Sequence, residues 1–270
     1  MNDDLIVTAY VVIDTVMQAL GHQSHGLAHI SDAEVLTVAV VAAKYFANHH
    51  ERALQVMRGM RYLSQPLSAS RCNRRLHALG GWLRRLLETL GALFAQGAVF
   101  LLDSLPVPVC RRARARRNRK VRGAEYCGYC AAKREKFFGW RLHLVCTAAG
   151  VPVAFDLLPG ALHDLPPVHE LTYGLPPGAS AYGDKGYNAA ADEASILADT
   201  GVRLVPIRKA NMRPNRWADT LALREYRKRV ETTYSQLEAM GVQRLHARTQ
   251  AGLELKLHAS LLALVCTNAI

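Results

Sequence analysis

The chain lacks any apolar run long enough to cross a membrane as a helix. The best candidate, "VLTVAVVAA" at 35–43, is much shorter than the roughly 18 residues that a spanning helix needs, and charged residues flank it. The first residues, "MNDD", also lack the basic start of a secretory signal. We therefore expect a soluble cytoplasmic protein that makes no contact with a membrane.

Cysteine is sparse, and its spacing does not define a known metal site. Cys127 and Cys130 form one CxxC pair, but a zinc ribbon needs a second pair of similar spacing, which is absent. A structural zinc site made of Cys110, Cys127, Cys130 and Cys146 stays open as an alternative. Reduced, packed thiols are the expectation for a cytoplasmic protein.

Acidic residues are outnumbered by basic ones. The 34 Lys and Arg residues against 22 Asp and Glu residues give a formal net charge of +12. Such a surplus attracts polyanions, of which nucleic acid is the commonest in a cytoplasm. Arg dominates over Lys, which suits bidentate contacts with phosphate. The alternative is a solvated basic surface without a partner.

Residues 1–95 show helical periodicity and no strand pattern. Ser31 followed by Glu34 predicts a capping box at the start of one of these helices. Helices rich in Arg can present rows of cations to phosphates or enter a DNA groove. We interpret 1–95 as a helical DNA-binding region and 96–270 as a second domain; the alternative is a helical cap that only packs against the rest.

An apolar, β-prone run at 97–110 is followed by a strongly basic segment. The prolines predict the end of this strand, since a central strand does not tolerate them. The basic segment 111–123 contains no acid and predicts a loop or an arm that binds phosphate. Its candidate DNA-binding residues are Arg111, Arg112, Arg114, Arg116, Arg117, Arg119 and Lys120.

The remainder of the chain alternates strands with helices. Residues 139–164 predict two strands joined by a turn at Ala149 and Gly150, and another strand ends at Asp184. Helices are predicted around 190–200, at 223–240 and at 252–270, with a strand after the first of them. The order predicts an α/β fold in which three adjoining antiparallel strands precede strands with helical crossovers.

Three carboxylates occupy informative positions. Asp103 and Asp184 end strands, and Glu231 lies inside a late helix. In an open α/β sheet, sites form beyond the strand ends. Converging carboxylates repel one another but favour divalent cations, and two Mg²⁺ ions about 3.5–4 Å apart promote phosphodiester cleavage and transfer. Taken singly, each acid is equally explained as a cap or a surface charge.

The residues around Asp184 suit a phosphate substrate. Gly183 and Gly186 would let the backbone approach a bulky ligand, and Lys185 would place a positive charge beside a phosphate. Tyr187 would stack on a base or bond a phosphate. On the late helix, Arg224, Arg227 and Lys228 share a face with Glu231 and would guide the DNA backbone.

His163 and Asp164 form a further polar pair after a strand. They could lie beside the metal site and contact DNA, whereas the alternative makes Asp164 a helix N-cap. His143 alternates with apolar residues and is interpreted as a half-buried, hydrogen-bonded histidine.

Several segments together resemble a known protein family. "FLLDSLPVPVC", "YCGYCAAKREKFFGWRLHLVCTAAGVPVAFDLLPGALHD", "YGDKGY" and "RKRVETTYSQLE" occur in the order found in DDE transposases of bacterial insertion sequences, in particular the insertion-sequence 982 family. The resemblance implies a ribonuclease-H-like mixed sheet flanked by helices and two divalent ions, Mg²⁺ or Mn²⁺. It also implies a triad of Asp103, Asp184 and Glu231, with double-stranded DNA as substrate.

The resemblance further implies a protein associated with the bacterial nucleoid that acts as a homodimer on DNA. Related transposases carry a Tyr, Arg, Glu, Lys signature around the third acid. Here Arg227 and Glu231 match it, whereas Arg224 and Glu238 occupy the Tyr and Lys positions. Two alternatives stay open: a catalytically decayed DNA-binding protein, and a ribonuclease-H-like nuclease that performs no strand transfer.

Overall fold

The computed structural model describes residues 2–118, 121–130 and 133–269. The chain forms two compact units. The first takes the chain up to Thr89 together with the segment from Gln236 onward, and the second comprises Leu90–Ser235. Within the described residues, no helix is long and apolar enough to cross a membrane.

The first unit consists of helices arranged around a central one. Helix α2 is buried at every position from Ala33 to Ala43, as expected of a helix with apolar residues on all sides. Its start carries the predicted capping box, in which Ser31 and Glu34 bond each other's backbone N–H groups. The N-terminal helices are α1 (Asp3–Ala19), α2 (Asp32–Phe46), α3 (His50–Gly59), α4 (Ala69–Ala78) and α5 (Gly80–Phe94).

The last helix, α9 (Gln250–Asn268), packs on α2. Two polar ties accompany the apolar contact: Lys44 Nζ donates to Thr267 Oγ1 at 3.0 Å, and Asn48 Nδ2 donates to Ser260 Oγ at 3.0 Å. The compact units therefore differ in extent from 1–95 and 96–270, because the chain end completes the helical core. The assignment of DNA binding to the N-terminal region stays a prediction.

The second unit is built on a six-stranded mixed sheet. Neighbouring strands run in the order β4-β3-β1-β5-β6, and β2 pairs with the start of β3 on the same side as β4. β1, β3 and β4 pair antiparallel, whereas β5 and β6 run parallel to β1. The strands are β1 (Val99–Arg111), β2 (Cys127–Cys130), β3 (Glu135–Thr147), β4 (Pro152–Pro159), β5 (Ser180–Gly183) and β6 (Arg203–Pro206). The predicted mixed α/β fold with an all-helical N-terminal region is thus confirmed.

Helices cover both faces of this sheet. On one face, α6 (Val168–Thr172) and α7 (Ala190–Thr200) bury Val168 and Ile196 against strand residues including Phe100 and Leu102. On the other, α8 (Trp217–Ala239) packs Tyr226 and Val230 on Leu101, Tyr182 and Val205. Arg203 of β6 makes two hydrogen bonds to Asp219, at 2.7 and 2.9 Å, which fix the start of α8 on the sheet.

Strand β1 does not end at its prolines, contrary to the sequence-based expectation. It continues through Pro106 and Pro108 to Arg111. β5 pairs with β1 only as far as Leu102, so this second half has β3 on one side and no ladder on the other within the described residues. Prolines are tolerated there because their missing N–H groups belong on an unpaired edge.

The basic segment is also more ordered than a loop. Arg112–Arg117 form a short 3₁₀ helix directly after β1. The short strand β2 and the first residues of β3 were not predicted, because "CGYC" and "EK" carry no apolar alternation.

Candidate active site

Asp103 and Asp184 each come one residue after the last paired residues of the parallel strands β1 and β5. Leu102 of β1 lies opposite Gly183 of β5, so the two aspartates come one residue later on neighbouring strands. Since side chains alternate between faces, Asp103 shares a face with Leu101, which α8 covers. The two acids are therefore neighbours in the fold. The expectation that Asp103 ends its strand was wrong, because β1 continues past Asp103 to Arg111; only its pairing with β5 stops at Leu102.

Asp103 is held in a poor environment for a charged carboxylate. It is half-buried, and its Oδ1 accepts a hydrogen bond from the Ser104 N–H at 2.7 Å. Burial above all, together with the charges of Asp184 and Asp164, raises the pKa of Asp103 to about 7, against the opposing effects of the Ser104 hydrogen bond and of Arg141. An acid destabilised in this way gains from any cation that reaches it.

Asp164 is a third carboxylate in this neighbourhood. Its Oδ1 is buried without a hydrogen-bond partner, and the nearest guanidinium nitrogen, Arg141 Nη1, is 3.6 Å away. That guanidinium is already engaged, because it donates to Ser104 Oγ at 3.2 Å and to the Tyr129 carbonyl at 2.9 Å. Asp164 does not cap a helix: α6 starts after Pro167. His163, its neighbour, is exposed.

The two glycines beside Asp184 make room for the protein itself. A Cβ on Gly183 would lie 2.8 Å from the Tyr187 ring, and one on Gly186 would lie 2.9 Å from Asp164 Oδ2. The interpretation that these glycines admit a bulky substrate was therefore wrong. Tyr187 is 1% exposed, so it is also unavailable for stacking on a base.

Within the described part of the chain, several buried polar atoms around Asp103 have no hydrogen-bond partner. They include the hydroxyl of Tyr234, whose pKa is raised by burial above all and then by the charge of Asp103. The pKa of Tyr187 is raised by the same two causes, against a lowering effect of the Ser104 hydroxyl. Both ring nitrogens of His143 are also unpartnered; burial lowers the pKa of this histidine to about 4, and the expected hydrogen-bonded histidine was wrong. Unsatisfied buried polar groups are rare in folded proteins and call for an explanation such as an absent ion.

Glu231 lies on α8, the helix that covers the Asp103 face. Its side chain is 64% exposed and accepts a hydrogen bond from Arg227 Nε at 3.1 Å. Tyr234, three residues further along the helix, is the α8 side chain whose pKa responds to Asp103. The structure thus brings α8 to the Asp103 face of the sheet, while Glu231 itself is paired with Arg227.

Among the residues that the structure describes, no three His, Cys, Asp or Glu side chains are grouped as metal ligands. Cys127 and Cys130 lie in the extended strand β2, where residues three apart point to opposite faces. The oxygen-rich surroundings of Asp103 fit a hard divalent cation better than zinc, since Mg²⁺ prefers carboxylate oxygens and water.

The candidate DNA-binding side chains are exposed wherever the structure describes them. Lys185 follows Asp184 in a short 3₁₀ turn, and the three candidate residues of α8, Arg224, Arg227 and Lys228, are exposed to solvent. Arg119 and Lys120 lie outside the described residues. The exposed members are Arg111, Arg112, Arg114, Arg116, Arg117, Lys185, Arg224, Arg227 and Lys228.

Comparison with known proteins gives one family match. A family model described as "Transposase DDE domain" matches residues 95–251, which is more than half of the chain. No curated protein and no solved structure matches the chain. The matched range contains Asp103, Asp164, Asp184 and Glu231 together with the whole mixed sheet. The chain therefore belongs to the family of transposases with a DDE domain.

Proposed function

We propose that this protein is the DNA transposase of an insertion sequence of the 982 family. It would cut the element ends and join them to target DNA. The observation that carries the proposal is the pairing of Leu102 with Gly183, which places Asp103 and Asp184 side by side at the sheet face that α8 covers. The family match supports a transposase role that acts on DNA.

The strand arrangement supports a ribonuclease-H-like domain. In that fold, three antiparallel strands of a meander are followed by two strands parallel to the first, with the first strand at the centre. The order β4-β3-β1-β5-β6 and its directions agree with that plan. The acids on β1, after β5 and on α8 would then occupy the three positions of a DDE triad.

The carboxylates would hold two divalent ions, Mg²⁺ or Mn²⁺. Asp103 and Asp184 would share them, a role that their positions next to the paired residues Leu102 and Gly183 support, and Glu231 would join after leaving Arg227. Asp164 Oδ1, which has an ion pair with Arg141 at 3.6 Å but no hydrogen bond among the described residues, would be a further oxygen near the same point. When bound, the ions supply positive charge that stabilises the attacking and leaving oxygens of the phosphodiester.

The chain's own side chains would then position DNA for two displacements. In the first, the oxygen of water attacks phosphorus at an element end, and a 3′-hydroxyl leaves. In the second, that 3′-hydroxyl attacks a phosphodiester of the target, whose own 3′-oxygen departs. Lys185 and the exposed basic side chains of α8 would hold the flanking phosphates. Two copies of the chain would bring the two element ends together.

The test is the Asp184→Asn variant, assayed for Mg²⁺-dependent nicking of element-end DNA and, separately, for DNA binding. Nicking should disappear, while binding stays within about twofold because a neutral amide still fits the exposed position. Asp192→Asn, an exposed acid of α7, is the control and should cut normally. Retained cleavage by Asp184→Asn contradicts the proposal.

The two alternatives are separated by their products. A decayed protein that only occupies element ends binds DNA but gives no divalent-dependent nick; the departures at Arg224 and Glu238 favour this candidate. A nuclease without a joining step cuts DNA, but does not transfer a pre-cleaved end to a target. Strand transfer of a pre-cleaved end supports the transposase over both.

A further inference from the structure

The helical unit contains a cavity of about 520 Å³ whose lining has an excess of positive over negative side chains. Burial lowers the pKa of His50, one of the lining residues, to about 4, so this histidine is uncharged at neutral pH. Arg248 and Lys256 line it together with four histidines, and Glu51 is the sole acid among the lining residues, all of which the structure describes. The histidines are His49, His50, His77 and His246. A cavity with this balance of charge suits an anion and disfavours a cation.

Two helices begin at this cavity. His49 is the N-cap residue of α3 and makes no side-chain capping bond. Thr249 caps α9, whose first turn contains no acid, and its Oγ1 accepts from the Gly252 N–H at 3.1 Å. Helix N-termini carry partial positive charge and bind phosphate oxygens through their backbone N–H groups. Both helix starts therefore add to the side-chain charge.

The lining also contains an unused polar atom. The Nε2 atom of His50 is shielded from solvent and has no hydrogen-bond partner. Lys256 Nζ donates to the His246 carbonyl at 2.7 Å, which holds this cation at the rim. An unpaired imidazole nitrogen beside fixed cations is a position that a phosphate oxygen would satisfy.

The neighbouring helix indicates how large the anion is. Helix α4 contains three Arg and no acid. The exposed side of α4 carries Arg71, Asn73 and Arg74, and its last turn brings His77 to the cavity. Arg and Asn are the side chains that most often read base edges or hold phosphates. A row of such groups leading into one cavity fits a polymer of phosphates better than a single ion.

We propose that this cavity holds a backbone phosphate of duplex DNA while α4 lies along the adjoining groove of the DNA. The site combines residues from the two ends of the chain, since α3 and α4 come from the first third and Arg248 and Lys256 from the last. This inference rests on the proposed action on DNA. It adds a contact in the helical unit, of which Arg248 lies inside the family-matched residues 95–251, whereas Lys256 and α4 lie outside them.

The test compares two charge reversals in the full-length chain, Arg248→Glu at the cavity and Arg58→Glu on the exposed surface at the other end of α3. Binding of a fluorescent duplex is measured by anisotropy in EDTA, which prevents cleavage, over a range of salt concentrations. Each phosphate contact contributes about 0.9 to the salt slope. Arg248→Glu should therefore lower the slope by about 1 and weaken binding about tenfold at 0.1 M salt.

A second measurement asks whether the anion is a phosphate. Inorganic phosphate, compared with chloride at equal ionic strength, should raise the melting temperature of the wild type and of Arg58→Glu but not of Arg248→Glu. Equal behaviour of the two variants in the anisotropy titration overturns the inference. Loss of the phosphate effect with unchanged DNA affinity also overturns it, because the site then serves a free phosphate compound.

Failure of this inference is distinguishable from failure of the proposed function. If Arg248→Glu binds DNA like Arg58→Glu while the wild type still nicks DNA in Mg²⁺, the cavity assignment alone is wrong. If the wild type never nicks DNA but Arg248→Glu loses affinity and slope, the cavity assignment stands and the catalytic proposal is the one that fails.

Discussion

The carboxylate site around Asp103 and the basic cavity of the helical unit differ in how unfavourable the charged form of their side chains is. Asp103 is half-buried among other carboxylates, so its charged form is unfavourable. Arg248 is exposed at the rim of its cavity, so its charge remains hydrated. The carboxylate site therefore depends on a cation for its charged state, whereas the basic cavity forms without its ligand at little cost.

The largest expected effect tests whether Glu231, an exposed acid, acts together with the half-buried Asp103. If it joins Asp103 during catalysis, Glu231→Gln should lower Mg²⁺-dependent nicking by about 10³-fold or more, because one carboxylate of the cluster is lost. Single-turnover cleavage of element-end DNA measures this. Glu225→Gln, an exposed acid on the same helix, is the matched control and should cut normally. Equal rates for the two variants would remove Glu231 from the triad.

The second largest effect concerns how Asp103 changes the stability of the protein with pH. The pKa of Asp103 in the folded protein, about 7, lies above the ordinary aspartate value of 3.8. The folded state therefore binds the carboxyl proton more tightly than the unfolded state does, and the free energy of unfolding falls as the pH rises from 3.8 to 7. Asp103→Asn should therefore raise the free energy of unfolding by up to about 4 kcal/mol at pH 8 and by little at pH 4. Urea unfolding at the two pH values measures the difference.

Two controls sharpen that prediction. Glu225→Gln should change stability by less than about 0.5 kcal/mol at either pH, since it is exposed. Mg²⁺ should stabilise the wild type at pH 8 more than it stabilises Asp103→Asn. A pH-independent gain in Asp103→Asn would mean that its carboxylate is not held in an unfavourable environment.

A smaller effect is expected where the sheet closes around Tyr187. Gly183→Ala places a Cβ 2.8 Å from the buried Tyr187 ring and should cost about 1–3 kcal/mol of stability. Gly174→Ala is the control, because no atom lies within 4 Å of the added Cβ. Urea unfolding of both variants measures the cost. An equal effect in the two variants would show that the ring moves freely aside.

The smallest effect tests the helical unit. Ser31→Ala removes the side chain that accepts from the Glu34 N–H at 3.0 Å, and should cost about 1 kcal/mol. Ser70→Ala, an exposed serine within α4, should change stability by less than about 0.5 kcal/mol. Thermal unfolding compares the two. If the stability loss in Ser31→Ala depends on pH as strongly as the gain in Asp103→Asn does, the contrast between the two units fails.

The sequence predicted features that depend on local chemistry. Ser31 and Glu34 formed the expected capping box because both partners lie within one turn. Asp184 follows the end of β5, as the end of its apolar run predicted, whereas Asp103 lies inside β1, one residue beyond the part that pairs with β5. These inferences needed only short segments of the chain.

Features that depend on distant residues were beyond that reasoning. Nothing near Gly186 in the sequence shows that Asp164 fills the space beside it. The unpaired ring nitrogens of His143 follow from the strand pairing around them, not from its neighbours in sequence. Likewise, α9 reads as an apolar helix, but its position against α2 follows only from the fold.

The prolines of β1 have a consequence for the molecule in solution. Past Leu102 no described strand pairs with this edge of β1, and an unpaired edge can pair with a strand from a second molecule. Pro106 and Pro108 present no amide hydrogen there, so an intermolecular ladder cannot be completed. The same two residues that interrupt an apolar pattern in the sequence thereby protect a concentrated solution of this protein against aggregation through β-strand addition.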